Sequence, residues 1–287
     1  MDSTGRFAYS ANATSNNVSV FTLNQGSGAL TAGTAVTAGT NPSAVAVDPT
    51  GRFAYVANSG SNNVSVFTIS QTTGALTAGT PVAAGTGPSS VTVDPTGRFV
   101  YVANATGNNV SIFTANLSSG AVTAQTTIAA GTSPSSVTVD PTGRFVYVTS
   151  NGSSNNVSVF TISNQTTGGL TAGTAVTAGT NPSAVAVDPT GRFAYVANSG
   201  SNNVSVFTLN QATGALTAGT AVTAGTNPRS VTVDATGRYV YVANAGSNTV
   251  SRFIVDQTTG ALASQATVSA GTGPISVATT GRLASRR

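Results

Sequence analysis

An Asp and an Arg four positions apart are the residues of this 287-residue chain with the clearest potential for chemistry. In Val47-Asp48-Pro49-Thr50-Gly51-Arg52-Phe53 the carboxylate could take a proton from water and the guanidinium could steady an oxyanion, the two requirements for hydrolysing an ester-like bond. The motif Asp-x-Thr-Gly-Arg-aromatic begins at Asp2, Asp48, Asp94, Asp140, Asp188 and Asp234. Six of the seven carboxylates thus share one position, and a catalytic group has no reason to recur in every repeat. Asp48 and Arg52, Asp94 and Arg98, Asp140 and Arg144, Asp188 and Arg192, and Asp234 and Arg238 are therefore read as turn and inter-repeat fasteners. An exposed pair of this kind contributes about 0–1 kcal/mol.

Residues that break the pattern are the better candidates for a site. Arg229 replaces the small residue that follows the Pro in other repeats; it reads first as a solvated Arg on a loop, and its alternative role is a ligand contact at the pore mouth. Arg252 and Asp256 read as a local surface pair.

The missing residue types exclude more than the present ones suggest. There is no His, Cys or Trp, all eleven basic residues are Arg, all seven acidic residues are Asp, and Lys and Glu are absent. No disulfide, thiol nucleophile or His/Cys metal cluster is available, and no Asp-rich loop has calcium-ligand spacing, so neither metal nor cofactor is expected. Charged residues make up 6% of the chain, against about 25% in ordinary soluble domains. Such a surface suits a protein outside the cytoplasm, whether secreted, periplasmic or at the cell surface. Of the net charge of +4, Arg282, Arg286 and Arg287 supply three, and no basic stripe remains to bind nucleic acid. No apolar run approaches the roughly 18 residues of a membrane span. The N-terminus carries no signal-peptide pattern and opens inside a repeat, as a processed, truncated or deliberately cloned chain would.

The elements that must position these residues follow from the repeat. The spacings of 46, 46, 46, 48 and 46 residues fit either a propeller or a helical array. Strand chemistry decides for the former. In the second unit, Ser43 to Val47, Phe53 to Asn58, Val64 to Ile69 and a looser Ala75 to Ala84 are rich in Val, Phe, Tyr and Thr, with Gly, Pro, Asn and Ser between them. Asp48-Pro49-Thr50-Gly51 has the residues a type I turn favours. The expected fold is all-β: a β-propeller of four-stranded antiparallel blades, six in this chain and seven if it is a fragment. Residues 1–278 would form one domain, followed by a basic tail at 279–287. The segment at 273–278 would pair with the three N-terminal strands and so hide two sheet edges.

Tyr-Val-Ala-Asn at 55–58, 101–104, 195–198 and 241–244, with Val-Tyr-Val-Thr at 146–149 and the Asp-Pro-Thr-Gly-Arg turn, resembles the YVTN repeat of lactonase-type β-propellers. This resemblance covers nearly the whole chain. It implies relatives among 6-phosphogluconolactonase-like enzymes and among secreted or surface proteins of bacteria and archaea, usually with seven blades. Family sites draw on His, Glu and Arg at the central channel, and the first two are absent here.

The resulting expectation is a non-catalytic secreted or surface scaffold, monomeric, that binds an unknown small molecule, carbohydrate or protein at its loops or central pore. Arg229 at the pore mouth is its candidate ligand contact. The alternative is a lactonase-like hydrolase acting on a sugar lactone. A second alternative is a recently amplified or designed repeat protein with no ligand, since residues 30–68 and 170–208 are identical over 39 positions.

Overall fold

A computed structural model describes residues 1, 2 and 4–279. All regular structure within them is β-strand. Each Asp-x-Thr-Gly-Arg turn leads into a six-residue second strand such as Phe53–Asn58, buried at every position. Val, Phe and Tyr suit such a strand because their branched or planar side chains pack on a pleated surface. In the second blade the order is a first strand Pro42–Val47, the second strand Phe53–Asn58, a third strand Asn63–Ile69, and a fourth divided into Leu76–Ala78 and Val82–Ala83. Pairing is antiparallel throughout, with Tyr55 opposite Val66 and Asn58 opposite Asn63.

The fourth strand divides for a local reason. Val64 faces Val82 and Phe67 faces Ala78, so two residues of the third strand oppose Gly79, Thr80 and Pro81. That one-residue excess is a β-bulge, bridged by the Gly79 N–H donating to the Val66 carbonyl at 2.8 Å. A second bulge recurs in the first strand, between Pro42 and Ala44 and at the matching place in the next four blades.

Six such sheets make an all-β propeller of six blades. The first sheet lacks a first strand, and Phe7–Asn12 forms its edge. The pairing expected between residues 273–278 and the N-terminal strands is not among the described strand pairs. Residues 271–279 form no strand. They run beside the last blade's first strand, Pro228–Val233, where the Val277 N–H donates to Ser230 Oγ (3.3 Å) and Thr279 Oγ1 to the Val233 carbonyl (3.1 Å). The basic tail expected at 279–287 lies outside the described residues from position 280 onward.

Contacts divide the chain into two compact units, Met1–Ala129 with Ser163–Leu170, and Ala130–Ile162 with Thr171–Arg287. Within each, the core lies between successive sheets. In the first unit Tyr55, Val64 and Val66 of the second blade pack with Val91, Val100, Val102 and Phe113 of the third. In the second unit Tyr195, Val204 and Val206 pack with Val231, Val240, Val242 and Phe253. A blade buries its faces only against its neighbours, so cohesion in this fold is a property of sequence-adjacent repeats.

Candidate functional site

The Asp of the repeated motif is consumed by its own turn. Asp94, 1% exposed, accepts the N–H of Thr96 at 3.0 Å and that of Phe99 at 2.7 Å, and the Thr96 hydroxyl closes on the same carboxylate. Asp2, Asp48, Asp140 and Asp188 repeat this pattern, as does Asp234. A carboxylate whose lone pairs hold backbone donors is poorly placed to receive a proton from water.

Arg and Asp form no direct ion pair among the described residues. The Arg52 Nε donates to Thr50 Oγ1 (3.1 Å) and its Nη2 to the Leu117 carbonyl of the following blade (2.6 Å), while the guanidinium lies 5.2 Å from the centroid of the Phe53 ring. Arg6 reaches Gln71, Arg98 reaches Gln165, Arg144 reaches Gln211 and Arg192 reaches Gln257 in the same manner. Arg238 lies over Tyr239 and makes no such carbonyl contact among the described residues.

A second fastener accompanies Arg6, Arg52, Arg98, Arg144 and Arg192. The hydroxyl of Tyr55 donates to the Gly120 carbonyl at 3.0 Å, and Tyr101 to Gly168 and Tyr147 to Gly214 at 2.9 Å. The sequence signals this only as a recurring Tyr three residues after the Arg and a recurring Gly in each outer hairpin, without saying that the two meet. Burial, and to a smaller extent the nearby Asp, push these phenols well above the usual tyrosine range.

Arg229 occupies the bulge of the last first strand and is exposed. The reason this position matters is visible in other blades. Ser43 Oγ donates to the Ala57 carbonyl (3.1 Å) and to the Pro88 carbonyl of the next first strand (2.7 Å), and Ser183 does likewise with Ala197 and Pro228. At Arg229 that hydroxyl bridge is replaced by a cation on a long arm. Arg252 and Asp256 do not pair: Asp256 instead accepts the N–H groups of Thr258 (2.8 Å) and Thr259 (3.0 Å), and these bonds hold its carboxyl below the usual range.

Two open clefts occur in the second unit. One, of about 520 Å³, is lined by Asp234, Thr236, Tyr241 and residues 277–279. The other, of about 250 Å³, presents hydroxyl and amide groups of Ser247, Ser251, Ser264 and Gln265. Among the described residues no three His, Cys, Asp or Glu side chains gather as a metal site would require.

Repeated blades fastened by Asp turns, Arg–carbonyl and Tyr–carbonyl bonds define a β-propeller whose site must be sought at irregular positions. The chain belongs to the lactonase family of 7-bladed β-propellers, which it matches over residues 1–85, 78–178 and 170–279. Among solved structures it is similar to a candidate 6-phosphogluconolactonase from Bacteroides uniformis, with a TM-score of 0.84 and 21% identity, over 94% of this chain and 83% of that one. It is also similar to the hydrazine synthase of Kuenenia stuttgartiensis (TM-score 0.76, 22% identity, 96% and 87% covered). A third likeness is the periplasmic gluconolactonase of Pseudomonas aeruginosa (TM-score 0.59, 17% identity, 93% and 96% covered). At these identities the likeness is one of fold. Among curated proteins none matches.

Proposed function

We propose that this protein hydrolyses a sugar lactone. The observation that carries the reading is the family match extending through residue 279. In the reaction water adds to the lactone carbonyl carbon, the ring C–O bond breaks, and a carboxylate and a hydroxyl remain, with one proton released. Of the carboxylate, imidazole, thiol and amine side chains that serve as general bases the sequence supplies only Asp, and its only side-chain cation is Arg.

Arg229 is the residue we assign to substrate. It is exposed, set on a bulge, and makes no hydrogen bond or ion pair among the described residues, which leaves its planar fork available to a phosphate or carboxylate. A phosphorylated sugar lactone fits this cation better than a neutral one. The non-catalytic scaffold is a second reading, favoured by the absence of His and Glu from the sequence.

Steady-state hydrolysis of 6-phosphogluconolactone and of its unphosphorylated counterpart separates the two. Turnover above buffer is expected, with Arg229→Gln raising KM for the phosphorylated lactone by about tenfold or more, the size of one lost charge-assisted hydrogen bond, and leaving the neutral lactone unaffected. Turnover equal to buffer for both lactones would overturn the hydrolase and return the scaffold.

A further inference from the structure

Arg229 aside, departures from the repeat are few, and several of them meet on one side of the last blade. Where the five preceding blades carry Asn17, Asn63, Asn109, Asn156 and Asn203, the last has Thr249. Where they carry Ala32, Ala78, Ala124, Ala172 and Ala218, it has Ser264. Gln265 stands at the bulge of the fourth strand, a place held by Gly in four blades, and Thr267 at a place held by Ala or Pro in the same four. All four residues line the cleft of about 250 Å³ between the fifth and sixth blades.

The cleft lies on the side of the last blade that is turned to the fifth, where Phe253 and Val255 pack with Val204 and Val206. Its geometry is therefore set inside the second unit, by two blades adjacent in sequence. Thr249 keeps a bond that Asn makes elsewhere: its hydroxyl accepts from Asn244 Nδ2 at 3.1 Å, as Asn203 Oδ1 accepts from Asn198 Nδ2 at 2.8 Å. The added groups, by contrast, are unspent. In the third blade the Nε2 of Gln125, at the same bulge, donates to Thr114 Oγ1 (3.3 Å) and to the Thr123 carbonyl (3.4 Å). Ile254 takes the place of that Thr114 in the last blade. Gln265 Nε2 therefore keeps only the carbonyl of its neighbour Ser264 (3.0 Å), and its Oε1 accepts nothing among the described residues. Nor do the hydroxyls of Ser264 and Thr267 have a hydrogen-bond partner among the described residues.

We propose that this cleft binds one uncharged sugar ring. Hydroxyl and carboxamide groups both donate and accept hydrogen bonds, as the hydroxyls of a sugar do. No Arg or Asp lines the cleft, so nothing in it selects a charged ligand. The buried Phe253 adds an apolar wall. The volume of about 250 Å³ lies below the roughly 300–1,000 Å³ of sites for drug-sized ligands, which fits a single ring better than an extended peptide. In its chemistry this site differs from Arg229, whose cation suits an anionic group.

Amide chemical-shift mapping on the full chain tests this, with the methyl glycosides of glucose, galactose and mannose as probes. At least one should shift the signals of residues 223–225, 249–251 and 264–267 saturably. Ser264→Ala combined with Gln265→Gly restores the residues of the fifth blade, Ala218 and Gly219, so the circular dichroism spectrum should match the wild type. That double variant should bind about tenfold more weakly, the size of two neutral hydrogen bonds. Gln125→Gly, the same change in the third blade, should leave the affinity as it is. A linear trisaccharide of the sugar that binds separates two sources: tighter binding than the glycoside marks the end of a polysaccharide, and equal binding a free sugar. No saturable shift with any of the three glycosides, equal shifts from glycerol, tighter binding of the neutral peptide acetyl-Gly-Ser-Gly-amide, or a double variant that binds like wild type would each overturn the proposal. No readout here depends on lactone hydrolysis.

Discussion

The carboxylate of Asp94 shows why a residue with catalytic potential is here a structural one. It is nearly inaccessible and takes its donors from Thr96 and Phe99 within five residues. Asp94→Ala would leave the Phe99 N–H buried without an acceptor, and a loss of about 1–3 kcal/mol is expected from urea unfolding. Tyr101→Phe removes one neutral hydrogen bond to Gly168 and should cost about 1 kcal/mol. The same phenols set an alkaline limit. Because the folded pKa of Tyr55, Tyr101, Tyr147 and Tyr195 is raised, chiefly by burial, folding favours the neutral form. Their contribution is fully present below the ordinary phenol pKa of about 10 and is lost as pH rises towards the folded value. Phenolate absorbance from these residues should thus appear together with loss of the β-sheet circular dichroism signal. Ionisation of all four in a still-folded protein would contradict it.

At the scale of elements, the outer hairpins are where one blade recognises the next. Gly120 has φ 74° and lies under Phe53, whereas Gly28 has the same φ and open space around it. Ala at either position meets the left-handed backbone penalty of about 1–2 kcal/mol. At Gly120 it also collides with the ring, so Gly120→Ala should cost about 1–3 kcal/mol more than Gly28→Ala, measured in dilute solution. The elements themselves were largely legible: Phe53 to Asn58 agrees residue for residue with its strand, and the Asp48 to Gly51 turn lies where its composition put it. The looser Ala75 to Ala84 was not, since nothing in Gly79-Thr80-Pro81 states that two residues across the sheet must face three. Nor was the Tyr55–Gly120 bond legible, because a 65-residue separation is invisible to turn rules and periodicity alike.

For the whole molecule, repetition made the fold readable and hid the site for the same reason. Six similar blades were countable from the spacing of Asp residues, and the sheets agree with that count. Function has to reside in what is not repeated, and apart from Arg229 little in the sequence departs from the pattern. Solved structures of similar fold include a hydrazine synthase as well as a gluconolactonase, so blades alone do not select a chemistry. The Arg–carbonyl and Tyr–carbonyl bonds have a further consequence, because each runs in one sense along the chain, from a blade to its successor. Among the described residues the series runs from Arg6 and Tyr9 of the first blade to the hairpin of the last at Gln257 and Gly260. Cohesion is therefore polar, like a row of hooks and eyes in which every hook points to the blade that follows it in sequence. Removing one hook should be felt in the following blade: Tyr101→Phe should speed amide hydrogen exchange in the hairpin at 164–169 and leave that at 116–121, in its own blade, unchanged.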